Sequence, residues 1–246
     1  AADLSQRIEL AARMGFDLPP PSLDWNGFVA HRQRYITGIH DSYRKRLDAA
    51  GIVHLPCRGH LRDAHTVETD EGARVTAAHV LIATGGKPKR PSIPGAELGM
   101  VSDDFFSLRA APRRVAIVGG GYIAVELAGV LQALGSHVEM FVRGKQLLDA
   151  FDRELVAELS ESLRQHGIQL HFDYSLASVR TEGNNQLRLV PAQGSISEPF
   201  DKLIFATGRS PNSASLGLQA LGVELDAKGH VVVDDVQDTT TSHIHA

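Results

Sequence analysis

A single cysteine, Cys57, stands in a chain of 246 residues. A lone thiol cannot close an internal disulfide, and its isolation fits a reducing compartment, so a cytoplasmic setting is expected. Apolar runs of membrane-spanning length are missing, so no membrane span is expected. Long basic runs are missing too, and the formal net charge is −4. That balance argues against nucleic acid and against a membrane surface as partners. The opening residues AADLSQRIEL hold no basic segment followed by an apolar one, so no secretory signal is read there. Twelve histidines are present, but scattered. Only His243 and His245 are near neighbours, and no cysteine or carboxylate pattern surrounds them, so no metal site is expected. What the chain does have is apolar residues, 43% of the total. They suffice for buried cores, and the length admits one large or two modest domains.

Residues 115–143, VAIVGGGYIAVELAGVLQALGSHVEMFVR, carry the most information. Val115–Val118 is a short β-branched run, as expected of a parallel strand covered on both faces. Gly119-Gly120-Gly121 follows at once. Gly119 supplies the backbone angles of a tight strand-to-helix turn. Gly121, without a Cβ, lets a pyrophosphate approach the main chain, and Ala124 allows close helix–strand packing. Ile123, Leu127, Val130, Leu131 and Leu134 recur at helical spacing, and Gly135 is a fitting stop. The helix start turns free N–H groups toward an anion. A second strand follows, His137 to Val142. An NAD site places an acidic side chain at its end to hold the ribose hydroxyls. Val142 holds that place here, and Arg143 follows. A guanidinium pairs with a 2′-phosphate that a carboxylate would repel. A charged hydrogen bond contributes roughly 1.5–3 kcal/mol, about a tenfold to hundredfold preference. The cofactor expected is therefore NADPH rather than NADH.

Around this core the pattern predicts helices over 3–14, 25–50 and 153–165, the first two separated by Pro19-Pro20-Pro21. The third is expected to carry Leu155, Leu159 and Leu163 on one face, with Gly167 after it. Strands are expected near 52–55, 66–69, 74–76, 79–83, 168–172, 177–181, 186–191 and 200–206. Residues 182–185 have hairpin-turn chemistry, and 228–236 read as one more turn and strand. Residues 87–95, with three prolines and a glycine, read as a linker or crossover. HVLIATGG at 79–86 echoes KLIFATGR at 202–209. Two apolar strands running into A-T-G point to two nucleotide domains, one inserted in the other.

GGGYIAVELAG, FVR, IATGGKP, ATGRSPN and KGHVVVD together resemble glutathione reductase, within the flavoprotein disulfide reductases. The resemblance covers almost the whole chain. It implies an α/β fold: a Rossmann-like NAD(P)-binding domain inserted in a partial FAD-binding domain. The domains implied are 1–105 (partial FAD-binding), 106–212 (NADPH-binding) and 213–246 (return segment to the FAD domain). It also implies NADPH and FAD as cofactors, glutathione disulfide as substrate, and a homodimer for the intact enzyme. Carried over residue by residue, Gly119, Gly121, Tyr122, Ile123 and Ala124 match the NADPH turn, with Tyr122 resembling a gate over the flavin. Glu126 resembles the carboxylate beside the nicotinamide amide, Arg143 the first 2′-phosphate arginine, and Gly208 with Arg209 the far edge of the nucleotide cleft. Gly59, His60 and Leu61 resemble the adenine-contacting strand of the FAD site, and Ala83, Thr84 and Gly85 its A-T-G turn. Tyr43 matches a tyrosine that contacts glutathione.

Two departures stand out. The family often has a second arginine six residues after the first, where this chain has Asp149, with Lys145 as the nearest compensating charge. The family's C-x-x-x-x-C pair is not in this sequence, nor is the first FAD glycine fingerprint. The expectation is an interior piece of such an enzyme, with no catalytic residue of its own, that holds NADPH but does not turn over glutathione alone. Two other readings stay open: a flavoprotein disulfide reductase of trypanothione or mercuric type, and a stand-alone NADPH-binding module.

Overall fold

The computed structural model describes residues 2–17 and 23–246, and the run Pro19-Pro20-Pro21 lies outside the described residues. In chain order the helices and strands are α1 (Ala2–Arg13), α2 (Trp25–Ala49), β1 (Gly59–Asp63), β2 (Thr66–Thr69), β3 (Arg74–Thr76), β4 (Val80–Leu81), β5 (Gly86–Pro88), β6 (Met100–Val101), β7 (Arg114–Val118), α3 (Tyr122–Ala133), β8 (His137–Phe141), α4 (Arg153–Gln165), β9 (Gln169–His171), β10 (Leu176–Glu182), β11 (Gln186–Pro191), β12 (Lys202–Phe205), β13 (Arg209–Pro211) and β14 (Ile244–His245). Two compact units form, Ala1–Gly38 with Pro88–Gly208, and Ile39–Lys87 with Arg209–Ala246. The units change at Lys87/Pro88 and Gly208/Arg209, at or just after the two A-T-G turns, and α1 goes with the first unit, where it lies along α3.

The first unit is built on a five-stranded sheet ordered β6-β12-β7-β8-β9, with all neighbouring strands parallel. Alternate side chains of a strand face opposite sides. Val115 and Ile117 of β7 and Val138 and Met140 of β8 pack with Ala124, Ala128 and Leu131 of α3 and Val156 and Leu163 of α4. Ala116, Phe141, Leu203 and Phe205 face the other way and pack with Val179, Leu187, Leu189 and Phe200, the first three from the antiparallel β10–β11 hairpin. Covering on both sides explains the unbroken apolar run of β7, and each such side chain contributes roughly 1.5–3 kcal/mol.

In two helices the fully buried face is not made of the largest apolar residues alone. In α3 the fully buried positions are Ala124, Ala128 and Leu131, while Leu127, Val130 and Leu134 pack only partly. Small side chains bring the helix close to the sheet, so the large ones sit at its flanks. In α4 the buried face is Val156, Ser160 and Leu163, and Leu155 is 72% exposed. Leu155 lies in the first turn, where Asp152 caps the helix by accepting from the N–H groups of Glu154 (2.9 Å) and Leu155 (3.1 Å). The 87–95 crossover is more tightly held than a linker: the Val179 amide donates to Pro94 (2.9 Å).

The second unit holds the antiparallel sheet β1-β2-β3, the parallel pair β4–β14, and a small core of Leu61, Leu218, Val223 and Ile244. Two strand expectations fail here. Residues 52–55 are irregular, with Ile52, Val53 and Leu55 all exposed, and the strand begins at Gly59 instead. Residues 228–236 form a turn with one isolated bridge, Leu225 to Val231, rather than a ladder. Asp226 organises that turn by accepting from the N–H groups of Lys228 (2.8 Å) and His230 (2.8 Å).

Candidate functional site

The turn after β7 divides its labour among three glycines. Gly119 has φ 140°, a region open almost only to glycine. Its amide donates to Phe141 (3.0 Å), and a Cβ there would run into the carbonyl of Ala206. A Cβ on Gly120 would come within 2.7 Å of Cγ1 of Val142. The Gly120 carbonyl accepts from the amide of Leu148 (2.8 Å), which ties the 143–149 loop to the turn. Gly121 is different: a Cβ added there would meet nothing within 4 Å. The turn opens at this one residue. Gly121 also precedes α3 as its N-cap and offers no side-chain oxygen to the first N–H groups. Those donors, with the positive end of the helix dipole, are suited to an anion.

Around that opening, Tyr122 is 57% exposed, Glu126 one turn later on the same face is also exposed, Ile123 is half-buried and Ala124 is fully buried. Val142, directly after β8, is buried, and Arg143 beside it is exposed. Lys145 and Asp149 are exposed as well. Both Asp149 carboxylate oxygens lie 3.6 Å from where a Cβ of Gly144 would be, so the acid folds back over the residue next to Arg143. Leu148, at φ 47°, makes the bend that returns it. Gly208 closes β12's turn at φ 120° with open space on its Cβ side. Thr207 donates to the carbonyl of Lys89 (2.9 Å) and Gly208 accepts from its amide (2.9 Å).

In the second unit the Ala83-Thr84-Gly85 turn is exposed, and one residue braces it. Asn212 donates its side-chain amide to the Thr84 carbonyl (3.1 Å) and its backbone amide to Gly85 (2.9 Å), and it accepts from the Thr84 hydroxyl (3.1 Å). The sequence carried Asn212 in ATGRSPN but gave it no role. Arg209 is exposed and its guanidinium donates to the carbonyl of Gly86. In β1, Leu61 is buried and its amide donates to Leu216 (3.0 Å), His60 is exposed, and Gly59 pairs with Thr69. Tyr43 is 61% exposed on α2.

The first unit also holds a polar cluster that pattern reading passed over. Glu139, in the middle of β8, is 7% exposed. It meets Nε2 of His171 at 2.9 Å, a guanidinium nitrogen of Arg114 at 2.8 Å and Nε2 of His137 at 3.4 Å. The bond to His171 and then that to Arg114 hold its carboxyl below the ordinary range, against the upward push of burial. The only signal in the sequence was an acidic residue inside an apolar strand.

A glycine turn leading from a parallel strand into an uncapped helix, with a second parallel strand beside it, defines a Rossmann-type α/β protein. The pattern of the pyridine nucleotide-disulphide oxidoreductase family matches residues 7–246, and the chain belongs to that family. The chloroplastic/mitochondrial glutathione reductase of Pisum sativum is 37% identical over 226 residues, which are 92% of this chain and 41% of that protein. Glutathione reductases of Burkholderia cepacia and Yarrowia lipolytica are 35% and 33% identical, each over all of this chain and 54% and 56% of their own lengths. The chain thus spans about half the length of the relatives it matches. The HOCl-induced flavoprotein disulfide reductase RclA from Escherichia coli shares the fold, with a TM-score of 0.82 at 23% identity over 89% of this chain and 50% of that one. Redox chemistry between pyridine nucleotides and disulfides is the general business of such a family. Among the described residues, no helix is long and apolar enough to cross a membrane.

Proposed function

We propose that this chain is the NADPH-binding portion of a glutathione-disulfide reductase, together with part of its FAD-binding domain. The observation that carries the reading is an exposed Arg143 directly after buried Val142, at the end of the strand that flanks the glycine turn. An acidic side chain would suit NADH there, and a guanidinium suits the additional phosphate of NADPH. The open space at Gly121 and the uncapped start of α3 fit a pyrophosphate.

Bound NADPH supplies a hydride that in the intact enzyme passes to FAD and then to a disulfide. The chain's own residues position and select. Gly121 and the α3 N–H groups receive the pyrophosphate, and Arg143 receives the 2′-phosphate. Glu126 orients the nicotinamide amide, Tyr122 shields the flavin side, and Gly208 with Arg209 borders the cleft. Gly59, His60, Leu61 and Ala83-Thr84-Gly85 serve FAD, and Tyr43 serves glutathione. One cysteine supplies no dithiol, so this chain alone does not turn over glutathione disulfide. Homodimer formation belongs to the intact enzyme, and a cytoplasmic setting rests on the single thiol. The ordered Asn212–Thr84 turn favours this reading over a stand-alone NADPH module, which has no use for a flavin-side turn.

The test titrates the chain with NADPH and with NADH, and repeats both with Arg143→Ala. The expected result is tighter NADPH binding that loses about tenfold to hundredfold in the variant, with NADH little changed. Equal binding of both cofactors, unaltered by the substitution, overturns the assignment.

A further inference from the structure

Four histidines come together in the second unit, from places far apart in the sequence. His65 stacks on His243 with ring centroids 4.1 Å apart, and His79 on His245 at 5.4 Å. The first pair is committed to the backbone. Nδ1 of His65 faces the Ala77 carbonyl at 3.0 Å, and Nε2 of His243 faces the Ala64 carbonyl at 2.7 Å. A carbonyl only accepts, so both of those nitrogens carry protons.

The second pair is arranged differently. Nδ1 of His245 meets Oδ1 of Asp238 at 2.6 Å, so the carboxylate fixes the proton on that nitrogen. Nε2 of His245 is left with a lone pair, directed at Nδ1 of His79, 3.2 Å away. Two nitrogens on one tetrahedral zinc ion, each at about 2.0–2.1 Å, stand about 3.3 Å apart. The observed separation is close to that distance, so an ion can replace the shared proton once each ring turns its lone pair off the line between the two nitrogens. The Asp238–His245 contact also has the form in which a carboxylate orients a metal-bound imidazole and raises its basicity. His79 is exposed, which leaves the remaining coordination positions to water.

We propose that His79 Nδ1 and His245 Nε2 form a two-histidine site for a borderline divalent transition-metal ion such as Zn2+, with Asp238 positioning His245. Among the described residues no three metal-ligating side chains converge, so the site is an open one of modest affinity. Imidazole donors suit zinc, copper and nickel rather than calcium or magnesium. The proposal is independent of the dinucleotide assignment, since none of its residues serves the cofactor.

The experiment titrates the full chain with Zn2+ alone by calorimetry at pH 7 and follows the ring nitrogens of 15N-histidine-labelled protein by NMR. One ion per chain is expected, with metal-induced shifts at Nδ1 of His79 and Nε2 of His245. His79→Gln and His245→Gln each weaken binding at least about tenfold, and Asp238→Asn by about tenfold. His54→Gln, an exposed histidine elsewhere, leaves binding unchanged. Should a variant fail to fold, the shifts in the unaltered protein still decide. Shifts confined to other histidines, an absence of binding, or affinity untouched by both glutamine variants overturns the site.

Discussion

Gly120 and Val142 are packed so that a Cβ on the glycine would come within 2.7 Å of the valine's Cγ1. The residue standing where an NAD site has its acid therefore also fills the space beside the glycine turn. Gly120→Ala is expected to cost about 1–3 kcal/mol through overpacking. In a Gly120→Ala, Val142→Ala double variant part of that loss returns, so the combined effect is smaller than the sum. Urea unfolding of the four proteins measures the coupling, and strict additivity would contradict the packing.

The neighbouring glycines separate folding from binding. Gly119→Ala is expected to lower stability by about 2 kcal/mol or more, because φ 140° is closed to alanine and the Ala206 carbonyl blocks the Cβ. Gly121→Ala leaves stability within about 0.5 kcal/mol, since its φ of −83° suits alanine and the space is open. The same substitution weakens NADPH binding. Thermal melts with cofactor titration distinguish the two, and a Gly121→Ala protein that binds NADPH as before would empty the proposed pyrophosphate site.

Asp149 bends back beside Gly144, next to the arginine proposed to read the 2′-phosphate. Like charges at about 4 Å repel by roughly 1 kcal/mol in water, about fivefold in affinity. Asp149→Asn is expected to tighten NADPH by up to about that factor and to leave NADH nearly unchanged. Parallel titrations at low ionic strength give the clearest reading, because salt screens the effect.

Tyr174 carries a buried hydroxyl with no hydrogen-bond partner among the described residues, and burial raises its pKa to about 12. Removing the hydroxyl relieves an uncompensated desolvation. Tyr174→Phe is therefore expected to be neutral or stabilising by up to about 1 kcal/mol. A loss of stability on calorimetry would reveal a partner for the hydroxyl.

Glu139 gives the first unit an acid-sensitive point. Its carboxyl is depressed by His171 and Arg114 relative to the unfolded chain, whose value lies near 4.5. The stabilisation is fully present above that pH and is lost as pH falls through the folded-state value, because the unfolded chain binds the proton first. Glu139→Gln is expected to lower stability at pH 7 and to flatten its decline between pH 5 and pH 3. Unfolding free energies across that range supply the check, and parallel curves for both proteins would count against the network.

The β7–turn–α3–β8 unit was legible because each of its parts is local. A β-branched run, three adjacent glycines and a helix of small residues constrain only their near neighbours. The limits of α4 and β11 were read from the same short-range signals, and so was the 66–69 strand. Reading failed where contacts with distant residues decide. Ile52, Val53 and Leu55 have strand-like side chains but remain exposed, and VVVDD at 231–235 has strand-like composition but gains a single bridge. Leu155 had the right spacing to be buried, but the sheet lies against Val156.

By itself the sequence determined the Rossmann-type unit, the family and the residues around the glycine turn, because backbone sterics and hydrophobic period act over a few positions. Only the tertiary structure decided which side chains meet across long stretches of chain. Asn212 reaches the Thr84 turn across 128 positions, Glu139 meets His171 across 32, and His79 finds His245 across 166. Such pairings depend on how strands order themselves in a sheet, and sequence spacing carries no record of that order.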